Sequence, residues 1–314
     1  MKKLLRKLLV GDNEIREYPP VRIAGEIPEK VYIEAAGTVT DVSQYHWLLC
    51  IEPVVFGVWI KQGGQKALYE EQEQYRLYFF DSANKVSDKK KASAVITLGF
   101  FGCIAEKNGV LLLLKVIESN IYHLDFIRRY VLFSRCYKKN GLTFPKFKSF
   151  TAAYSYPRRI RLISFKQDDY FNIFPMDLLG DISESNRFVF GLRHTNVSLS
   201  RIIETGKIVV SEVAFDHKDM IFTLGKHHSS KPPSLDSFMF NIIQSKNFGF
   251  YLPDWINGYK EIKILETKNL GSHMLLWGEV LQEHTLSGIG NNLFLIHFFE
   301  YLRQKNNGTG YLLA

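Results

Sequence analysis

The sequence predicts a mainly β fold of the α+β kind, with a few peripheral helices. Three observations predict it. Aromatic residues reach 14 %, and large rings favour strands. Apolar runs are short and separated by Gly, Pro, Asn and Asp clusters. Helical spacing is confined to brief stretches.

Taken in order, Met1–Val10 reads as a short amphipathic helix, because Arg6 and Lys7 interrupt its apolar residues. Lys30–Thr40, Trp47–Ile60 (broken at Glu52-Pro53) and Tyr75–Phe80 are strand-like. Asp81–Ser93 is a lysine-rich loop. Ala94–Phe101 and Val110–Ile117 form a hairpin about the Glu106–Gly109 turn. Tyr122–Arg135 places Leu124, Ile127, Tyr130 and Val131 at helical spacing. Lys138–Ser149, with Gly141 and Pro145, reads as a linker, which puts a domain boundary near residue 150. Beyond it, Arg158–Phe165, Asn172–Leu178 and Arg187–Leu192 are strands. Val197–Thr205 is a helix stopped by Gly206, and Lys207–Val213 is a strand. Lys226–Asp236 is a polar loop. Phe248–Leu252, Glu261–Thr267, His273–Gln282 and Asn292–Phe298 complete a β-barrel with peripheral helices. Glu52–Trp59 and Ala94–Ile117 echo the second half. That echo fits a degenerate copy or chance similarity among β-rich segments.

The 314 residues are apolar enough for a globular core, at 46 % hydrophobic and 23 % charged. The formal charge is +8, held almost wholly by residues 1–150. A solvated basic surface is the simplest reading, and without a nucleic-acid signature a nucleic-acid partner is not expected. Cys50, Cys103 and Cys136 are dispersed and odd in number, so neither a zinc site nor a disulfide framework is expected. With no apolar run of roughly 18 residues and no cleavable leader, a cytoplasmic protein with no membrane partner is expected.

Four segments hold chemistry. In Asn172-Ile173-Phe174-Pro175-Met176-Asp177, a proline inside a strand forces an edge or a bulge that can open backbone N–H groups to a ligand. In Gly191-Leu-Arg193-His194-Thr195-Asn196, a strand gives way to a helix. Thr195 or Asn196 can cap that helix, and Arg193 with the free N–H groups can hold a phosphate. An ordinary capped corner has the same sequence. Lys226-His227-His228 lies in a loop. Adjacent histidines without a third ligand do not point to metal, whereas a loop closing over a ligand suits them. In Asn269-Leu-Gly271-Ser272-His273, the histidine opens a strongly apolar strand that runs on through Gly278-Glu279-Val280. It reads either as a strand-starting residue bonded to backbone or as a group at a barrel mouth.

The order of these segments, and above all Gly271-Ser272-His273 followed by Gly278-Glu279-Val280, resembles the flavin-reductase-like, FMN-binding split-barrel family over residues 155–300. The β-rich residues 1–150 have no counterpart in the minimal family domain and form a separate N-terminal domain. The resemblance implies a split barrel at 151–314. It implies FMN, or FAD, as cofactor and NADH or NADPH as a transient donor, in an oxidoreductase that passes hydride between nicotinamide and flavin. A non-enzymatic flavin- or ligand-binding module is the other reading. Asn172–Met176 would meet the flavin ring, and Arg193–Asn196 its phosphate and ribityl chain. Lys226 and His227 would close over it, Ser272 would also bind the cofactor, and His273 would lie on the nicotinamide side. A homodimer, or a pseudo-dimer within one chain, is implied as well. The chain departs from the pattern at Phe174-Pro175-Met176 and at Asp181–Arg187, where the family carries small residues and a double proline.

Overall fold

The computed structural model describes residues 4, 17–63, 74–81, 88–134, 138, 141–232, 234–286, 291–306 and 311–313. The N-terminal stretch read as a helix (Leu4 apart) and Cys136 lie outside them. The first half runs β1 (Pro20–Ile23), β2 (Lys30–Ala35), β3 (Thr38–Asp41), β4 (His46–Ile51), β5 (Val54–Lys61), β6 (Tyr75–Phe80), β7 (Ala94–Glu106) and β8 (Gly109–Ile121), then α1 (Phe126–Leu132) and α2 (Phe144–Ala153). The second half runs β9 (Arg158–Arg159), β10 (Arg161–Gln167), β11 (Tyr170–Met176), β12 (Leu179–Ile182), β13 (Arg187–Arg193), α3 (Leu199–Thr205), β14 (Lys207–Glu212) and α4 (Lys218–Leu224). It ends with β15 (Ile242–Gln244), β16 (Tyr251–Pro253), β17 (Gly258–Asn269), β18 (His273–Thr285), β19 (Asn292–Leu295), α5 (Phe298–Asn306) and β20 (Leu312–Leu313). The mainly β expectation with peripheral helices holds. No described helix is long and apolar enough to cross a membrane.

Two seven-stranded sheets dominate, and they share one plan. The first is ordered β3-β2-β6-β7-β8-β5-β4 and the second β11-β10-β14-β17-β18-β13-β12. Each is built from a short hairpin, a second hairpin, a lone strand and a long hairpin, in that chain order. The long hairpins are β7–β8 and β17–β18, both antiparallel and both bulged. A small sheet, β20-β1-β19-β9, ties the chain ends together.

The sheets press face to face through a second apolar core. Trp47, Leu49, Val55, Trp59 and Leu111 come from the first sheet, and Val189, Leu275 and Trp277 from the second. Trp59 and Trp277 stack at 6.3 Å. Glycine permits the approach. A Cβ on Gly191 would lie 1.7 Å from the Leu49 carbonyl oxygen, and one on Gly180 would lie 2.1 Å from the Trp47 ring.

Several segments differ from expectation. The strand read at Phe248–Leu252 is one only over Tyr251–Pro253, where it pairs with β15 outside the large sheets. Lys138–Ser149 is not simply a linker, because Phe144–Ala153 is helical. Thr143 accepts from the Lys146 N–H at 3.4 Å, and Pro145 stands in the first turn, where its missing N–H costs nothing. Burial of Phe147, Thr151, Ala152 and Ala153 then holds the helix. The last apolar run is a strand only over Asn292–Leu295, and it joins β1 and β9 rather than the second large sheet.

Candidate functional site

The four chemistry-bearing segments meet at one corner. Arg193 ends β13 directly opposite His273, the first residue of β18. The next N–H, of His194, donates to the Ser272 carbonyl at 3.2 Å. The chain then turns, and Asn196 Oδ1 accepts from the Ser198 N–H at 2.8 Å. Asn196 therefore shapes the loop ahead of α3 rather than capping the helix. Asn172 Nδ2, on β11, donates to Ser198 Oγ and to the His227 carbonyl, both at 2.8 Å. The Val197 N–H reaches the His228 carbonyl at 3.2 Å, and His227 Nδ1 donates to the Ile173 carbonyl at 3.3 Å.

His273 is 1 % exposed. Its Nδ1 lies 2.8 Å from Ser272 Oγ and 3.6 Å from Cys50 Sγ. Ser272 Oγ also accepts from the Glu52 N–H at 3.1 Å, which leaves its own proton to donate to Nδ1. Nε2 is then the N–H donor of the ring, and it is buried without a partner. Burial, followed by the charge of Arg193, pushes the His273 pKa down to about 4, so the ring is neutral near pH 7. The preceding glycine is required on two counts. Gly271 has φ +119°, and a Cβ there would lie 2.5 Å from both the Glu52 oxygen and Pro53 Cδ. The Ser272 N–H donates to the Glu52 carbonyl at 2.7 Å. The β4–β5 turn of the first half thus clamps the Gly-Ser-His turn of the second.

The corner offers an exposed rim and a buried floor. Arg193, His194, Thr195 and Lys226 are exposed, and Arg193 forms no ion pair among the described residues, so it is free to meet an anion. Asn172, Ile173 and Phe174 are fully buried and Met176 nearly so, with His227 lying over the strand. Pro175 packs on Gly225. Besides His273 Nε2, the buried Asn172 Oδ1 and Asn196 Nδ2 have no partner. Two cations without an ion pair among the described residues, Arg193 and Lys226, and three orphaned polar atoms fit a phosphorylated ligand with a polar-edged ring. Among the described residues no cluster of His, Cys, Asp and Glu could hold a metal.

Sequence reasoning missed a cavity of about 480 Å³ between the two halves, lined by Tyr45, His46, Trp47, Tyr156, Arg158 and Asp177 among others. His46 Nδ1 donates to the Val42 carbonyl at 2.8 Å, and Nε2 is buried without a partner. Burial and the nearby Arg158 push its pKa down to about 3. Beside the cavity, Arg161 pairs with Asp181 at 2.5 Å and Glu212 at 2.7 Å, and Lys260 pairs with Asp181 at 2.9 Å. The signal available was Arg158-Arg159-Ile160-Arg161, three cations at a strand start. Arg158 donates to the Ala153 carbonyl at the end of α2, and the partners of Arg159 and Arg161 lie on β12, β14 and β19.

No family profile matches the chain, and no curated protein matches it. Solved structures do, and flavin reductases and FMN-binding proteins are among them. The FMN-binding protein from Thermus thermophilus with bound p-hydroxybenzaldehyde is 17 % identical, over 45 % of this chain and 82 % of that one, with a TM-score of 0.39. The NADH:FAD oxidoreductase SgcE6 of Streptomyces globisporus is 14 % identical, over 46 % and 86 %, at 0.40. The flavin reductase component of a bacterial two-component tryptophan halogenase is 11 % identical, over 53 % and 96 %, at 0.42.

Proposed function

We propose that the protein binds FMN, or FAD, at the corner of Arg193, His273 and the 226–228 turn, and acts as an NAD(P)H-dependent flavin oxidoreductase. The observation that carries this reading is the convergence of four separate segments on one unpaired arginine and one neutral, orphaned histidine N–H. Bound flavin would supply the hydride chemistry. Arg193, with the His194–Asn196 turn, holds the phosphate. The buried strand Asn172–Met176 and the turn bearing Lys226 and His227 form the wall against which the ring rests. His273 Nε2–H donates to a ring or carboxamide oxygen, in the orientation set by Ser272. A neutral histidine suits that task, because orienting a donor needs no proton transfer.

The matching plan of the two sheets supports reading residues 1–150 as a degenerate copy of the barrel at 151–314, the pair forming an internal pseudo-dimer. Cys50 and Cys103 are free thiols, which supports a reducing, cytoplasmic setting.

Titration of the purified protein with FMN, followed by NADH under anaerobic conditions, tests the proposal. A shifted flavin band that bleaches with NADH or NADPH supports it. No binding at high micromolar FMN sinks it. A second reading, a ligand-binding module without turnover, is favoured by the cavity at His46, which lies apart from His273. Flavin that binds tightly but is reduced by neither nicotinamide would establish that reading.

A further inference from the structure

We infer that the outer face of α1, with the basic segment that follows it, docks the protein on an anionic lipid surface. The inference is independent of the flavin reading. Helix α1 turns apolar side chains outward as well as inward. Leu132 is buried, yet Phe126 is 62 % exposed, Ile127 72 %, Tyr130 50 % and the preceding Tyr122 57 %. Phe126 and Tyr130 stack at 6.2 Å, and Tyr130 meets Phe144 of α2 edge-on at 5.7 Å. The rings of Phe126 and Tyr130 form one surface, fixed to the body through Phe133, Phe144 and Phe147.

Charge identifies the occupant. Residues 121–150 hold seven Lys and Arg side chains and one carboxylate, Asp125, a surplus of six where the whole chain's surplus is eight. Glu52 of the β4–β5 turn takes one of the seven, pairing with Lys146 at 2.5 Å. Asp125 is spent on the helix itself. It accepts from the Arg128 N–H at 2.9 Å and pairs with Arg128 at 3.2 Å. A second copy of this chain would bring like charge against like charge. An anionic bilayer instead takes Phe and Ile below the headgroups, Tyr at their level, and Lys and Arg against the phosphates. The expectation of no membrane partner rested on the lack of a spanning segment, which this mode of binding does not use.

Co-sedimentation of the full chain with vesicles of phosphatidylcholine containing about one third phosphatidylserine tests the inference. Phosphatidylcholine vesicles serve as the control. Binding to the anionic vesicles alone, weakened by salt, is expected. Phe126→Ser with Ile127→Ser should lower the bound fraction at least about tenfold, and so should Arg128→Glu with Lys138→Glu. All four side chains are exposed, so circular dichroism should be unchanged. No binding to anionic vesicles overturns the inference, as does binding that both variants leave intact. A concentration-dependent dimer lost in the variants, without lipid binding, would assign the face to a second copy. Equal retention by polyglutamate would assign it to an acidic polypeptide.

Discussion

At the scale of single residues, the corner depends on what His273 can offer. His273→Ala should lower the rate of flavin reduction by about tenfold, the value of one lost hydrogen bond of about 1.4 kcal/mol. Asn in its place keeps an N–H and should recover part of the rate. With its pKa near 4, His273 should put no inflection into the rate between about pH 5 and pH 8. Stopped-flow bleaching measures both. Glu29 behaves in the opposite sense. Burial first, then Glu300, raises its pKa to about 8, so the folded protein holds it protonated. Its contribution to stability is fully present below the unfolded value of about 4.5 and is lost as pH rises through about 8. Glu29→Gln should therefore gain about 1–3 kcal/mol at alkaline pH and little at pH 4, as read from urea midpoints. Gly271-Ser272-His273 was legible in the sequence because its three residues are contiguous. Cys50, which touches the same histidine, lies 223 positions away, and no local pattern announces such a contact.

At the scale of elements, the sheets meet where side chains are missing. Gly191→Ala drives a methyl into the Leu49 carbonyl, which is backbone and cannot rotate aside. It should cost about 2–4 kcal/mol, seen as a lower urea midpoint at an unchanged slope. The strands of the long hairpins, the helix stopped at Gly206 and the Ala94–Ile117 hairpin were legible, because alternation and turn residues are local signals. Helix α2 was not. Gly141 and Pro145 looked like breakers, and only the burial of Phe147 and Ala152 explains why the chain coils there. Strand β12 was hidden for a related reason. Its four residues are too few for a period, and Gly180 is in place for the Trp47 ring of another sheet.

At the scale of the whole molecule, the sequence offered the internal echo only as one of two readings. Strand order turns on long-range pairing, which periodicity does not encode, and the two identical orders appear once the sheets are assembled. If residues 1–150 stand in for a partner subunit, the protein should run as a monomer of 36.4 kDa and bind one flavin per chain. Light scattering with flavin titration decides this. Two flavins per chain would mean that the first half kept its own site, and a dimer would mean that the internal pair is not the complete assembly.

The turn Glu52-Pro53, lying against Gly271 and Ser272, has a consequence for dilution. A pocket completed by a separate subunit comes apart as concentration falls, because its two walls can drift away from each other. Here the Glu52-Pro53 turn and the Gly271–His273 turn that it clamps are lengths of one polypeptide, so each is held at a fixed, high local concentration of the other. Turnover per molecule should therefore stay constant down to the lowest concentration that can be assayed. On the proposed function, the tether also leaves the first half free to change its own sequence, provided that Glu52 keeps its grip on Ser272.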